Sequence, residues 1–216
     1  MVTDDRFDAG YYARYYRGPG RVSSAREVGH LARAICALAA YHGQPLERIL
    51  DVGAGPGLWR DWFRRHRPRA RYRSVDVSRH ACLRYGHERR DIARWRARER
   101  FDLVVCQGVL QYLDDEACAR AVGNLAAMCR GLLFLEVLTR RDLAEVVDRE
   151  SSDVDVHLRT GAWYRARLAA AGLRQLGAGL WVSPRSGLPL FELEAAGRPA
   201  APRRYTRPVR FARRPS

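Results

Sequence analysis

The feature that most constrains the fold is a short apolar segment that runs into a glycine-rich loop. The segment covers residues 49–52, and glycine then occupies every second position, at Gly53, Gly55 and Gly57. An apolar run of this kind is typical of a buried strand, and glycine allows a tight turn and a close approach of the backbone to a ligand. We therefore expect a strand, a loop and the start of a helix, with a ligand lying directly on the loop.

Two nucleotide-binding motifs are excluded at this loop. A dinucleotide fingerprint needs a glycine or alanine at its third position, where this chain has Leu58. A phosphate-binding P-loop needs a lysine, and the chain contains none, which also excludes a lysine Schiff base. The acid Asp51 before the loop favours a cationic ligand, while the loop amides and the helix start favour a carboxylate.

The pattern acid-x-Gly-x-Gly-x-Gly resembles motif I of the class I S-adenosylmethionine (SAM)-dependent methyltransferases. Further matches follow in the order of that family, over roughly residues 46–138. Asp76 lies about twenty residues beyond the loop, where doubly wound folds place a ribose-binding acid. Asp91-Ile92 comes next, and the strand FDLVVCQGVLQYL then resembles motif IV and ends at Gln107-Gly108.

The resemblance implies that SAM is the cofactor and that S-adenosylhomocysteine (SAH) is its product. It implies that Asp76 accepts from the ribose hydroxyls, that Asp91 accepts from the adenine amino group, and that the Gln107 carbonyl receives the methionine ammonium. The expected cofactor-binding residues are Asp51, Gly53, Ala54, Gly55, Gly57, Asp76, Val77, Asp91, Ile92, Gln107, Gly108 and Tyr16.

The acceptor side is less well defined by the sequence. The catalytic candidates are His157, Glu136 and Tyr112. His157 is favoured as a base because its ordinary pKa suits proton transfer near neutrality. The family commonly has histidine where this chain has Gln111, so a catalytic histidine is not available there. An aromatic N-terminal helix is expected to close over the site. Residues 140–159 are expected to form a long loop, and no metal site is expected there, because loop acids such as Asp153 and Asp155 are usually solvated.

The order of elements predicts an α/β fold. Strands alternate with helices, which indicates a doubly wound, Rossmann-like, mostly parallel sheet, and the chain closes with a C-terminal antiparallel hairpin formed by residues 173–182 and 188–195. We predict an N-terminal helical lid over residues 1–45, a SAM-binding core over residues 46–196, and a basic tail over residues 197–216.

The charge and the cysteine content limit which binding partners and which cellular compartment are expected. The formal net charge is +15, and the tail supplies seven arginines and no acid. The five cysteines lack any C-x-x-C spacing, no run of eighteen apolar residues occurs, and the N-terminus does not resemble a signal peptide. We therefore expect a cytoplasmic, bacterial-type protein with free thiols and no membrane partner.

Three functions are compatible with these features. The leading one is methyl transfer from SAM to a small-molecule acceptor. An RNA or protein methyltransferase is the second, since a basic tail can bind nucleic acid and such binding weakens steeply with salt. A SAM-binding protein without catalysis is the third, and it would bind SAM without releasing SAH from any acceptor.

Overall fold

The computed structural model describes residues 6–18 and 21–196. The predicted tail, residues 197–216, and the first five residues of the predicted lid lie outside this part of the chain. The helices are α1 Ala9–Tyr16, α2 Ala25–Tyr41, α3 Leu58–His66, α4 Arg79–Tyr85, α5 Asp115–Met128, α6 Arg140–Glu145 and α7 Gly161–Ala170. The strands are β1 Arg48–Val52, β2 Arg71–Asp76, β3 Glu88–Arg89, β4 Phe101–Gln107, β5 Cys129–Glu136, β6 Arg174–Gly177 and β7 Leu180–Val182.

These strands form one seven-stranded sheet in the order β3-β2-β1-β4-β5-β7-β6. The pairs among β1 to β5 are parallel, whereas β7 is antiparallel to both β5 and β6. The predicted doubly wound, mostly parallel sheet with an antiparallel end is confirmed. The strand order reverses between β1 and β4, and in open α/β sheets ligands bind beyond the carboxyl ends of the strands at such a point.

The helices begin where the sequence supplies capping side chains. The Ser24 hydroxyl accepts from the backbone of Glu27 and the Glu27 carboxylate accepts from Ser24, which makes a capping box at the start of α2. At the start of α5 and α7 the side chains of Asp114 and Thr160 each accept a hydrogen bond from the backbone of the first turn. Gly57 instead precedes α3 in a left-handed conformation with no side-chain cap, because the chain enters this helix directly from the glycine loop.

Two apolar layers cover the two faces of the sheet. On one face Leu50, Val104 and Leu133 pack against α5 and α7, and on the other Ile49 and Leu103 pack against α2 and α3. Adjacent residues of a strand point to opposite faces, and burial on both sides explains why these strands read as continuous apolar runs. The helix α2 belongs to this second layer through buried residues including Val28, Ala32, Ile35 and Ala39.

Two parts of the sequence prediction are wrong in detail. The hairpin is formed by β6 and β7, which turn at residues 177–179 with positive φ angles, and residues 188–195 form no strand. Pro189 cannot donate to a ladder, and Leu188 and Leu190 are instead buried against the α2 layer. The segment 140–159, expected to be a loop, contains α6, where Thr139 and Asp142 form a capping box.

Among the described residues, none of the helices is long and apolar enough to cross a bilayer.

Candidate active site

The glycine loop lies at the carboxyl end of β1. Gly53, Gly55 and Gly57 all have positive φ angles of 70°, 52° and 81°. A Cβ at Gly53 would lie 2.2 Å from Cγ2 of Val109, so this position also requires glycine for space. The positive φ angles and this close approach explain why the loop can bring its backbone against the cleft.

The loop amides are not available to a ligand, which corrects an expectation from the sequence. The amides of Gly53 and Ala54 both donate to the carbonyl of Val75, and the amide of Gly57 donates to the carbonyl of Ala54. The amide of Gly55 donates to Oδ2 of Asp76 at 2.9 Å. The loop therefore offers no free amide for a phosphate or a carboxylate, and its surface suits a nucleoside ligand without phosphate.

Asp76 at the end of β2 is buried and joins two parts of the site. Besides the bond from Gly55, its Oδ1 accepts from the amide of Ser78 at 2.8 Å. Burial raises the pKa of Asp76, and the bonds from Ser78 and Gly55 oppose that rise. Each carboxylate oxygen can accept more than one hydrogen bond, so the group keeps acceptor capacity for hydroxyls.

His87 forms a hydrogen bond that holds the glycine loop in place. Its Nε2 lies 3.0 Å from the carbonyl oxygen of Gly55, and its Nδ1 lies 2.8 Å from the hydroxyl of Ser74. Because a carbonyl only accepts, Nε2 carries the proton and Nδ1 accepts from Ser74. Burial lowers the pKa of His87, so the neutral ring is favoured. The sequence prediction missed this residue, since an isolated histidine before a two-residue strand gives no pattern.

A cavity of about 570 Å³ opens beyond β1, β2 and β4. Its walls include the loop glycines Gly53 and Gly55. They also include seven of the other predicted cofactor residues, namely Tyr16, Asp76, Val77, Asp91, Ile92, Gln107 and Gly108, together with Tyr112, which was predicted as catalytic. The carboxylates Asp76 and Asp91 and the apolar side chains Val77 and Ile92 thus line one cavity, a combination suited to the hydroxyls, amino group and flat ring of an adenosine.

Asp91 and Ile92 lie in a turn after β3. The amide of Ala93 donates to Oδ1 of Asp91 at 2.9 Å, and the carbonyl of Ile92 accepts from the side chain of Asn124 at 2.8 Å. Ile92 is buried, whereas the side chain of Asp91 is 40% exposed and 3.6 Å from Arg94. The turn is therefore fixed on the apolar side while the Asp91 carboxylate remains accessible.

At the end of β4 a chain of hydrogen bonds crosses the floor of the cleft. Nε1 of Trp59 donates to Oε1 of Gln107 at 2.8 Å, and Nε2 of Gln107 donates to Oε1 of Glu136 at 3.1 Å. The amide of Gly108 donates to the carbonyl of Glu136. The donor Trp59 and the acceptor Glu136 fix the orientation of the Gln107 amide, and Gln107 in turn positions the Glu136 carboxylate.

A second cavity of about 290 Å³ adjoins the first. Gly53, Gly55, Gln107 and Gly108 line both cavities, so the two meet at the junction of the glycine loop and the end of β4. Asp51, Ala54 and Glu136 line only the second cavity. Gly57 lies in neither wall, and its role is to start α3.

Asp51 is buried beside the glycine loop and is not paired with a cation among the described residues. Its Oδ2 accepts from the hydroxyl of Tyr72 at 2.7 Å. Burial raises the pKa of Asp51 to about 7, although the bond from Tyr72 acts in the opposite direction. The carboxyl group of Asp51 therefore changes its charge near pH 7. Its attraction for a cationic ligand would depend on pH in the same range.

The helix α1 forms the roof of both cavities. Tyr12 stacks on His80 of α4 with ring centroids 5.6 Å apart, and the hydroxyl of Ser78 donates to the carbonyl of Phe7 at 2.6 Å. The hydroxyls of Tyr11 and Tyr112 lie 3.0 Å apart. The aromatic N-terminal segment expected from the sequence is thus packed over the cleft.

Arg6 joins this roof to the segment that follows β5. Its guanidinium pairs with Asp153 at 3.1 Å and Asp155 at 3.0 Å, and it lies over the ring of Tyr112 at 4.8 Å. The two acids considered for a metal site are therefore partners of a cation. Within the described ranges 6–18 and 21–196, no group of three potential metal ligands occurs.

The three catalytic candidates do not converge on one point. Glu136 lines the second cavity, His157 is exposed and lines the first, and Tyr112 lines both. The backbone amide of His157 donates to the carbonyl of Gln111 at 2.8 Å, which fixes the chain but not the imidazole. Burial raises the pKa of Tyr112, which favours its protonated hydroxyl.

A family model described as a methyltransferase domain matches residues 24–177, which is well over half of the chain. The chain therefore belongs to the class I SAM-dependent methyltransferases, as the motifs predicted. SAM is the cofactor of this family. No curated protein matches the chain.

Solved structures show the same fold at low sequence identity. DesVI of Streptomyces venezuelae is 19% identical, with 72% of this chain and 90% of that chain covered and a TM-score of 0.55. Magnesium protoporphyrin IX methyltransferase (ChlM) of Synechocystis PCC 6803 with bound SAM is 18% identical, with coverage of 85% and 98% and a TM-score of 0.55. The sugar N-methyltransferase KedS8 of Streptoalloteichus sp ATCC 53650 is 20% identical, with coverage of 77% and 89% and a TM-score of 0.54.

Proposed function

We propose that this protein transfers a methyl group from SAM to a small-molecule acceptor, with the adenosine part of the cofactor in the first cavity, its methionine part at the junction of the two cavities near Asp51, and the acceptor in the second cavity. The observation that carries the proposal is the junction of the two cavities at Gly53, Gly55, Gln107 and Gly108 beneath α1. A donor and an acceptor held on opposite sides of this junction would meet there. Two protein-lined cavities of about 570 and 290 Å³ suit two small molecules.

The names of similar proteins support a small acceptor. One solved neighbour is a magnesium protoporphyrin IX methyltransferase, and another is a sugar N-methyltransferase. At 18% and 20% identity these structures support the fold of this chain but do not identify its acceptor. The acceptor class is therefore part of the proposal. The Arg-rich tail that would favour RNA or protein as the acceptor lies outside the described residues.

Bound SAM would supply a methyl group on a sulfonium, and the residues of this chain would bind and orient it. Asp76 would accept from the ribose hydroxyls, Asp91 would accept from the adenine amino group, and Val77 and Ile92 would pack on the ring. Gln107 would present its backbone carbonyl to the methionine ammonium. Asp51 would place a negative charge near the cationic end of the ligand.

Positioning is expected to provide most of the rate enhancement, since holding two reactants in line can contribute on the order of 7–11 kcal/mol. We assign the acceptor side to Glu136, as a hydrogen-bond or proton acceptor, and to Tyr112, as a hydroxyl donor. His157 lies on the rim of the first cavity. His157 is the candidate base only for an acceptor that reaches the first cavity.

The test combines calorimetry of SAM and SAH binding with an assay of SAH release over a panel of small acceptors. We expect both ligands to bind and at least one acceptor to gain a methyl group by mass spectrometry. Failure of SAM and SAH to bind would refute the proposed cofactor role of this cleft. Tight SAM binding without SAH release from any acceptor in a broad panel would favour the non-catalytic alternative.

A further inference from the structure

The second cavity has an unusual charge for this chain. The protein carries 39 arginines and no lysine against 24 acids, for a formal net charge of +15. Among the described residues that line the second cavity there is no arginine, lysine or histidine, whereas Asp51, Glu136 and Asp153 are all present. Because this wall contains acids and no basic residue, it is poorly suited to an anionic acceptor.

Glu136 is the carboxylate in this wall that is available to the acceptor. Asp153 is paired with Arg6, and Asp51 is buried and accepts from Tyr72. Glu136 forms no ion pair with any described residue, and only its Oε1 is engaged, by Nε2 of Gln107. Because that bond fixes the side chain at the end of β5, the charge is held in place without being neutralised.

Gln111 provides an independent indication of a ligand. It is only 8% exposed, it lies in the wall of the second cavity, and its Oε1 has no hydrogen-bond partner among the described residues. Burying a polar atom without a partner is unfavourable, so such an atom at a cavity wall indicates a missing donor. From the sequence, Gln111 was notable only because the family commonly has histidine at this position.

Tyrosines complete the wall. Tyr11, Tyr15, Tyr16 and Tyr112 line the same cavity. Aromatic faces attract cations, and an ammonium group offers three donors and no acceptor. A free carboxylate, an unpartnered amide oxygen and aromatic rings are together the features that recognise such a group.

We propose that the second cavity selects acceptors that carry an aliphatic amine in its ammonium form, with Glu136 as the residue that determines this preference. The proposal deepens the proposed function and rests on it. It concerns recognition of the acceptor, and the ammonium group need not be the atom that is methylated. Anionic acceptors such as carboxylates and phosphates are excluded by the same wall.

The cofactor also has an ammonium group, so the acids could serve SAM alone. For this reason the test uses protein saturated with SAH, which carries that same ammonium. If the acids only bind the cofactor, SAH satisfies them, and added ligands will show no preference for an amine. If Glu136 serves the acceptor, the preference remains when SAH is bound.

The probes are tyramine and cyclohexylamine, compared with 4-hydroxyphenylacetate and cyclohexanecarboxylate, which have similar apolar parts and the opposite charge. Binding to the SAH-loaded protein is measured by calorimetry or ligand-detected NMR at about pH 7.5, where aliphatic amines are protonated. We expect each amine to bind at least about tenfold more tightly than its carboxylate counterpart. This is the size of effect that one charge-assisted hydrogen bond supplies.

The Glu136→Gln variant should lose most of the amine preference while still binding SAH. Glu192→Gln is the matched control, because it makes the same chemical change at an exposed residue that does not line the cavity. Equal or tighter binding of the carboxylates, no binding of either amine, or an unchanged preference in Glu136→Gln would overturn the proposal. Absent SAH binding in the unmodified protein would instead refute the proposed function, so the two failures are distinguishable.

Discussion

Asp76 is the residue on which the cofactor assignment depends most. Its two oxygens hold the amides of Gly55 and Ser78, and it also lines the first cavity. We expect Asp76→Ala to weaken SAH binding by more than tenfold, because it removes a carboxylate acceptor and leaves the buried Gly55 amide without a partner. Calorimetry measures the affinity, and circular dichroism checks the fold. Glu116→Gln, an exposed acid on α5, is the control, and normal SAH binding by Asp76→Ala would contradict the assignment.

Asp51 is expected to make cofactor binding depend on pH. Its pKa is raised to about 7, mainly by burial, so the free protein holds a proton there below neutrality. A cation bound nearby favours the carboxylate and lowers this pKa, so ligand binding should release a proton and tighten as the pH rises through about 7. Calorimetry in buffers of different ionisation enthalpy measures the proton. In Asp51→Asn the release should vanish, and an unchanged release would show that another group titrates.

At the scale of elements, the glycine loop is held by β2 and by the residue before β3. His87 donates to the Gly55 carbonyl as a neutral ring, and burial lowers its pKa. A histidine with a lowered folded pKa stabilises the fold above its unfolded pKa of about 6.5, and this contribution is lost as the pH falls through the folded pKa. We therefore expect both unfolding free energy and SAH affinity to decline below about pH 6.5.

Two variants separate the hydrogen bond of His87 from its titration. His87→Ala removes the bond, and we expect it to cost about 1–3 kcal/mol of unfolding free energy because the loop carbonyl loses its donor. His87→Gln retains an N–H donor and should keep more of that stability, while its acid-induced loss becomes smaller. Chemical denaturation between about pH 5 and 8 measures both effects. Equal pH dependence in all three proteins would assign the titration elsewhere.

The elements also show where sequence reasoning succeeds. The strands β1 and β4 are buried on both faces, so their apolar patterns are local and the sequence predicted them. The hairpin was wrong because residues 188–195 read as a strand but are used for packing. The contacts between Arg6 and Asp153, or between His87 and Gly55, join residues far apart in the chain and leave no local pattern.

At the scale of the whole molecule, the order of motifs along the chain was enough to predict the cofactor but not the acceptor. The carboxyl ends of β1, β2 and β4 meet at one edge of the sheet, so a parallel topology alone brings Gly53, Asp76 and Gln107 together. The second cavity instead combines α1, the 3-10 helix Leu110–Tyr112, the end of β5 and the segment after α6. That arrangement depends on tertiary packing, which no spacing in the sequence specifies.

The basic tail provides the test that separates the proposed function from an RNA or protein methyltransferase. Removing residues 197–216 takes away seven arginines and no acid, so it lowers the formal net charge of +15 by seven. A small acceptor bound in the second cavity does not need this charge, so we expect the affinity for SAH and the turnover of a small amine to change by less than about twofold. The dependence of turnover on salt should also stay the same.

The comparison is made between the full chain and the shortened chain at low and high salt, with SAH release as the measurement. Phosphate contacts release counterions, so a nucleic-acid acceptor would show activity that falls steeply with salt and a slope that becomes shallower when the tail is removed. Loss of activity in the shortened chain together with loss of that salt dependence would move the assignment to a macromolecular acceptor. If the salt response is unchanged and activity on an amine-bearing small molecule is retained, the tail is not needed for acceptor binding. That result would support selection of the acceptor by the cavity beside Glu136.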